Sequence, residues 1–485
     1  MRRGWRRARA TLAGGSWTHQ VSRSKRASLR WLVLDGIFAN AGNTIIQTYQ
    51  AIYLQALGAS RSEIGTMGAI TNLTLPLAML PGAALANRSK SHKRVVVVSG
   101  VVGTLMLAGV VWLPQISTRI PMIPLGIGFL TVYYFFMYLL NPAWTAMLGE
   151  TVPMQWRGRY FSTRNILMGI AAFLIVLGVG RLADAIGVPA GYQVAFGIAL
   201  VTKLIAAYAF SRIREPRRRA PRQAKKQQSS SSLWEKLRAH SGFLVFCAIA
   251  ALWNFGLQIS GPFFYIYLVE EAQASATAVG LISATGTLAA LPGQRIFGLW
   301  NDRKGSPWVQ RLTGFIVPAV PLVWGFVTHP WQAYPLNAVS GFAWAGYNLA
   351  SFNLLLEKTP DEQRPTFVAL YQMIVGLGMA GGAFLGGWVA QTQGYRFTFI
   401  LSAGLRWLGA ALFALFIART RPLPHLPQPR LPALRWPDFH PLESMTHWIK
   451  RHQPTWLSGW FEAPRPDESD SAEQLEEEKD YECKS

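Results

Sequence analysis

The chain is expected to be an all-α membrane protein, with twelve transmembrane helices in two parallel six-helix bundles and both termini in the cytoplasm. Three observations predict this. Apolar segments of membrane-spanning length recur along the 485 residues, the second half of the chain repeats the first in the same orientation, and Lys and Arg gather in alternate connections.

Hydrophobic residues make up 51% of the chain, and the polar ones are concentrated in a few stretches. Segments of about 20 residues, long enough to cross a hydrocarbon core, lie near 31–54, 64–86, 94–113, 122–147, 163–186 and 191–211. Six more lie near 242–269, 276–299, 308–328, 332–356, 366–391 and 395–418. Strands of a barrel need only about 10 residues and alternate in polarity, so runs of this length read as helices.

The repeat is visible residue by residue. I-Y-L-Q-A-L-G-A-S-R-S-E-I-G at 52–65 matches I-Y-L-V-E-E-A-Q-A-S-A-T-A-V-G at 266–280 if one loop residue is inserted. Asn40-x-Gly42 falls on Asn254-x-Gly256, Asn87-Arg88 on Asp302-Arg303, Asn141 on Asn348, and Lys203 on Arg406. Glu150-x-x-Pro153-x-x-x-Arg157 falls on Glu357-x-x-Pro360-x-x-x-Arg364. Partner spacing stays between 215 and 203 residues, so one half was duplicated without inversion. Parallel halves in an apolar protein point to a transporter with its site between two bundles.

Charge fixes the expected orientation. Residues 1–30 hold nine Lys or Arg and no acid, 87–94 hold four, 149–164 three, 212–238 ten, 301–311 three and 357–365 two. The intervening connections hold few, mainly Arg61, Arg119 and Arg396. Short loops rich in Lys and Arg stay in the cytoplasm. The net charge of +23 is therefore assigned to topology, and nucleic acid is not an expected partner. The resulting organisation is a basic cytoplasmic tail (1–30), an amino-terminal bundle (31–211), a basic linker (212–241), a carboxy-terminal bundle (242–418) and a Pro/Trp-rich, then acidic, cytoplasmic tail (419–485). The linker carries R-R-R, K-K and S-S-S-S runs, a composition that cannot bury a core. Cys247 and Cys483 provide neither a disulfide framework nor a metal cluster.

Gly298-x-x-x-Asp302-Arg303-x-Gly305, after the second segment of its half, resembles the cytoplasmic signature G-x-L-a-D-R-x-G-R-K of the major facilitator superfamily. The first half repeats the position in A-A-L-A-N-R, 83–88, where Ala83 replaces the glycine and Asn87 replaces the acid. The stretch N-P-A-W-T-A-M-L-G-E-T-V-P-M-Q-W-R-G-R-Y-F-S-T-R-N, 141–165, resembles the junction of the fourth and fifth helices in bacterial members. The resemblance covers residues 31–418 and implies the fold and alternating access, but no substrate. Asn87, Arg88, Asp302, Arg303, Glu150, Arg157, Glu357 and Arg364 become candidate gating residues. At Asp302 a carboxylate can accept from a helix start and pair with Arg303 or Arg364, closing the cytoplasmic face.

The first segment places Asn40, Asn43, Gln47 and Gln50 at about 140°, 80°, 120° and 60° from Asp35, on one polar stripe. In the seventh segment, Asn254 and Gln258 are one turn apart. Amides within lipid-embedded helices need partners or a watery cavity. The candidate substrate cavity is therefore Asn40, Asn43, Gln47, Tyr138, Asn141, Asn254, Gln258, Tyr347 and Asn348, with Trp144 and Trp344 beside them. Interhelical hydrogen bonding competes with cavity lining as an account of these amides. Amides among amphipathic rings suit a drug-like or sugar-like solute. Asp35, an acid inside the first segment, is the candidate for proton coupling, with pairing to Arg30 or a loop cation as the alternative. Lys203 and Arg406 lie in the sixth segment of each half, which the resemblance puts at the periphery, so snorkelling or helix pairing is expected there.

Enzyme chemistry is not expected. H-E-x-x-H, G-x-x-x-x-G-K-[ST] and G-x-S-x-G motifs are missing from the sequence, and G-M-A-G-G-A-F-L-G-G at 378–387 reads as close helix packing. Without a nucleotide site, transport must run on a gradient. The expectation is a secondary active transporter of a small organic solute, proton-coupled and with efflux favoured, in the bacterial cytoplasmic (inner) membrane as a multi-pass monomer. Its partners are the lipid bilayer, the solute and protons, with no cofactor and no metal. A sensor or scaffold without flux, signalling through the long tails, is the alternative.

Overall fold

A computed structural model of the chain describes residues 21–89, 91–116, 121–153, 157–215, 241–359 and 364–417. Both terminal tails, most of the linker, and the side chains of Arg157 and Arg364 lie outside the described residues. By internal contacts the chain divides into residues 1–421 and 422–485, and the second unit falls wholly outside the description.

Local sequence sets the helix ends. Helix α1 (Arg23–Ala56) begins after Ser22, whose hydroxyl accepts from Lys25 N–H at 3.4 Å. It ends at a turn through Gly58, whose φ of +99° suits a residue without Cβ. A reciprocal capping box opens α2 (Arg61–Arg88): Ser60 Oγ accepts from Glu63 N–H (3.2 Å), and Glu63 Oε2 accepts from Ser60 N–H (2.8 Å). Then come α3 (His92–Val111), the short α4 (Leu113–Ile116), α5 (Met122–Leu139) and α6 (Asn141–Thr151). Helices α5 and α6 break at Leu140 because Pro142 cannot donate to the helix and its ring crowds the carbonyl four residues back. The half closes with α7 (Arg157–Ile186) and α8 (Ala190–Ser211).

The second half repeats this plan. Helix α9 (Ser241–Ser260) passes through a one-turn bend at Gly261–Phe263, centred on Pro262, into α10 (Phe264–Glu270). Next are α11 (Ala276–Lys304), α12 (Ser306–Ile316), α13 (Ala319–Trp324) and α14 (Pro330–Lys358). The last helix, α15 (Arg364–Leu412), is interrupted by Gly394 (φ +80°) and ends in a wider turn at Phe413–Ile417. Among the described residues, every regular element is helical.

Eight of these helical stretches are long and apolar enough to cross a membrane. The remaining expected spans fall short for visible reasons. Helix α1 carries the polar stripe, α14 carries Gln332, Asn337, Asn348 and Asn353, and residues 306–324 are divided at Pro318. Residues 367–417 hold two helices that meet at a kink at Gly394. Many large apolar side chains point outward, among them Val98, Leu174, Phe384 and Trp388. On a protein surrounded by water such a surface would drive association; in lipid it is solvated.

Helix α1 packs on α7 and α8, α9 on α15, and α11 on α14. The halves meet along two seams, α2 with α15 and α7 with α11. Small residues make the first seam: Gly65 lies against Gly387, and Ala69 packs with Ala380 and Ala383. Because lipid tails are as apolar as the helices, close backbone approach supplies the packing energy here.

The repeated Asn-x-Gly elements have a packing role. A Cβ at Gly42 would sit 2.9 Å from Lys203 Cγ, and one at Gly256 would sit 3.2 Å from Arg406 Cγ. In each half the glycine admits the stem of the cation on the sixth span.

Candidate substrate cavity and gate

Bends and stripes in the helices surround a cavity of about 370 Å³ in the first half. Asp35, Asn40, Asn43 and Gln47 of α1 line one wall, and Tyr133, Tyr134 and Tyr138 of α5 face them. Asn141, Trp144, Arg164 and Lys203 also line it. A second cavity of about 250 Å³ lies between the halves, where Gln47, Tyr134 and Tyr138 recur opposite Gln258, Pro262 and Tyr265. Three side chains thus border both spaces.

The amides serve two purposes. Asn40 Nδ2 donates to Met168 O (3.2 Å), tying α1 to α7. Tyr133 Oη donates to Asn43 (3.3 Å) and Tyr134 Oη to Gln50 (2.8 Å), which orients the rings toward the cavity. Gln47 is exposed to both cavities. Gln258 reaches the inter-half cavity, its side chain lying against Gly261.

The second-half members are placed differently. Asn254 donates to Ala250 O within its own helix (2.8 Å). Tyr347 is buried in a stack on Trp253, centroids 3.9 Å apart, away from both cavities, and Asn348 is exposed.

Asp35 is buried and faces Arg164, with Nη2 to Oδ2 at 3.9 Å. Arg164 was grouped at the sequence level with the cytoplasmic connection 149–164. It instead lies in α7, is buried, donates to Leu32 O (3.3 Å), and passes Gly36, where a Cβ would meet its guanidinium at 2.5 Å. The peripheral placing of Lys203 also needs correction. It is 6% exposed and lines the cavity, because α8 turns this face toward α1 and Gly42 leaves room for the side chain. Arg406 is buried too, but donates to Leu257 O (3.1 Å) and Ser260 Oγ (2.6 Å) of α9, the expected helix pairing.

Of the candidate gating residues, Asn87, Arg88, Asp302, Arg303 and Glu150 are exposed at one end of the bundle. There Glu357 accepts from Ser306 Oγ (2.7 Å), and Arg157 and Arg364 have side chains outside the described residues. Among the described residues, the bonds that join the halves gather at the other end, beside the 57–60 and 271–275 turns, with Thr48 Oγ1 donating to Ser283 Oγ (3.4 Å) farther in. Glu270 of α10 accepts from Arg61 Nη2 (2.9 Å), from Tyr395 Oη (2.6 Å) and from Gln55 Nε2. Arg61 lies over the Tyr395 ring at 4.0 Å and donates to Ala390 O (3.2 Å). Two helix starts are capped across the seams at matching repeat positions. Asp184 of α7 accepts from Ala276 N–H (2.7 Å) and Thr277 N–H (3.0 Å) at the start of α11. Gln391 of α15 accepts from Arg61 N–H (3.1 Å) at the start of α2. Tyr49 Oη adds a bond to Ala276 O (3.0 Å).

Sequence reasoning named Arg61 only as a stray cation and passed over Glu270, Asp184, Gln391 and Tyr395. Asp184 and Gln391 are separated by 207 residues, the same offset as Glu150 and Glu357. That was the available signal.

Two helical halves in parallel repeat, packed along two seams around interior cavities, define a multi-pass membrane protein of the major facilitator type. The sequence model of the MFS_1 like family matches residues 37–401, and the chain belongs to that family. No curated protein sequence matches it. Solved structures share the fold. A bacterial homolog of the human lysosomal transporter Spinster, inward-facing and unoccupied, is 15% identical over 82% of this chain and 97% of its own, with a TM-score of 0.63. The nucleoside transporter NupG is 15% identical over 81% and 99%, with a TM-score of 0.60. A D-xylose-proton symporter is 14% identical over 86% and 98%, with a TM-score of 0.61.

Proposed function

We propose that this protein is a secondary active transporter that carries a small organic solute across the cytoplasmic membrane by alternating access, coupled to protons through Asp35. The observation that carries the reading is a bundle closed between its halves at one end, by Glu270, Arg61 and Asp184, with polar cavities behind the closure. Rocking of residues 31–211 against 242–418 would break those bonds and bring together the other end, where Asp302 and Asn87 lie. The nucleoside and D-xylose-proton carriers that share the fold move organic solutes, which agrees with this reading.

We read twelve spans. The eight apolar stretches, with residues 364–417 counted as two about Gly394, join α1, α12–α13 and α14 to make twelve. An even number would put both termini on one side, and the basic connections support the cytoplasm as that side.

The test is flux in proteoliposomes across a broad solute panel, with full-length protein beside a truncation to residues 25–422. Transport retained by both supports the proposal. No flux from either, together with a bound partner lost on truncation, would establish a sensor or scaffold instead.

A further inference from the structure

Lys203 has no role in the coupling scheme above. It is 6% exposed, and its Nζ has as its polar partner the thioether sulfur of Met137 at 3.8 Å, a weak acceptor. The Tyr133 ring, 5.5 Å away, offers a cation–π contact, which is weaker than the penalty for burying an ion. The cavity also holds Arg164, which already shares Asp35 at a long 3.9 Å. Among the described residues, the charged groups on the cavity wall are Asp35, Arg164 and Lys203, two cations for one carboxylate. Arg406, the repeat counterpart of Lys203, is by contrast hydrogen-bonded to α9.

We infer that the substrate of this cavity is a small organic carboxylate, its anionic group held by Lys203 and Arg164 and its apolar body against the α5 tyrosines. A single negative charge matches the excess of one cation, whereas a phosphate dianion would exceed it. Tyr133, Tyr134, Tyr138 and Trp144 supply flat amphipathic surface for an aromatic or apolar body. Asp35 competes with the bound carboxylate for Arg164. The inference deepens the transport reading and rests on it for movement, but the anion site is testable by binding alone.

The experiment titrates purified full-length protein with benzoate, benzamide, benzylamine and phenyl phosphate, reading thermal stabilisation and Trp fluorescence. Benzoate is expected to stabilise the protein and benzamide and benzylamine to have no effect. Lys203→Met should weaken benzoate binding by about ten- to a hundredfold, the loss of a hydrogen bond to a charged group. Lys203→Arg should retain binding, and Asp35→Asn should tighten it. A response to benzamide or benzylamine equal to that of benzoate, a stronger response to phenyl phosphate, or no response to any of the four overturns the assignment. The comparison of probes on the unaltered protein needs no variant, so it stands even if Lys203→Met fails to fold. Benzoate binding with no flux of benzoate or of any solute in the panel would refute transport and leave the anion site; flux of neutral solutes without benzoate binding would do the reverse.

Discussion

Glu270→Gln should open the sealed end of the bundle. In the wild type the carboxylate accepts from Arg61, Tyr395 and Gln55, and the Arg61 and Glu270 side chains are 31% and 28% exposed. Hydrogen bonds to charged groups are worth about 1.5–3 kcal/mol when buried. Partial exposure draws the pair toward the exposed ion-pair value of up to about 1 kcal/mol. The glutamine keeps one acceptor for Tyr395 but turns an N–H₂ group toward the guanidinium. A net loss of about 1–2 kcal/mol lowers the ratio of closed to open states about 5- to 30-fold. The assay uses a protein lacking Cys247 and Cys483 and carrying Thr71→Cys, which lines the inter-half cavity. A membrane-impermeant maleimide is added from the side of the 57–60 turn. While the open state is rare, labelling rate follows its population, so the rate should rise by the same factor. Arg61→Gln on top of Glu270→Gln should add less than Arg61→Gln alone, because the two share one interaction, and the remainder reports the contacts of Arg61 with Ala390 O and the Tyr395 ring. Equal rates in wild type and Glu270→Gln would refute the reasoning.

Other substitutions probe separate parts of the account. Gly42→Val places a branched side chain 2.9 Å from Lys203 Cγ and Thr202 Oγ1. It should cost about 1–3 kcal/mol as overpacking, read as a lower unfolding temperature in detergent. Asp35→Asn keeps the shape but cannot carry a proton, so accumulation driven by a pH gradient should vanish while equilibrium exchange persists; accumulation at the wild-type level would make Asp35 a plain ion-pair residue. Asp302→Asn, at an exposed position, should leave stability within about 0.5 kcal/mol and slow transport. Unchanged transport would remove Asp302 from the gate.

The parts of the fold legible in the sequence were those carried by local chemistry or by the repeat. Span-length apolar runs gave the helices, and the 100° step put Asn40, Asn43 and Gln47 on one face, where they line one cavity. Pro142 and Pro262 stand at bends in the helices, but no bend was inferred from either in the sequence. What stayed hidden required knowing which surfaces meet. Arg61 and Glu270 are separated by 209 residues and belong to different halves, so spacing along the chain says nothing about their pairing. Arg164 looked like one more loop cation because the start of α7 is itself basic, and only its helical position turns it toward Asp35. Lys203 was assigned to the periphery because its span is peripheral. Its side chain, however, follows the inner face of α8 past Gly42, and the repeated Asn-x-Gly and Lys/Arg positions were two ends of a single contact.

The central claim is that closure at one end of the bundle excludes closure at the other. Spin labels at Val188 and Glu271 report the sealed end, and labels at Glu150 and Lys304 the opposite end; all four positions are exposed, one of each pair in each half. Double electron–electron resonance on both pairs, with and without Glu270→Gln, measures the coupling directly. The account predicts opposite shifts: the variant lengthens the Val188–Glu271 distance and shortens the Glu150–Lys304 distance. Distances that stay fixed, or that lengthen together, would contradict alternating access in this protein.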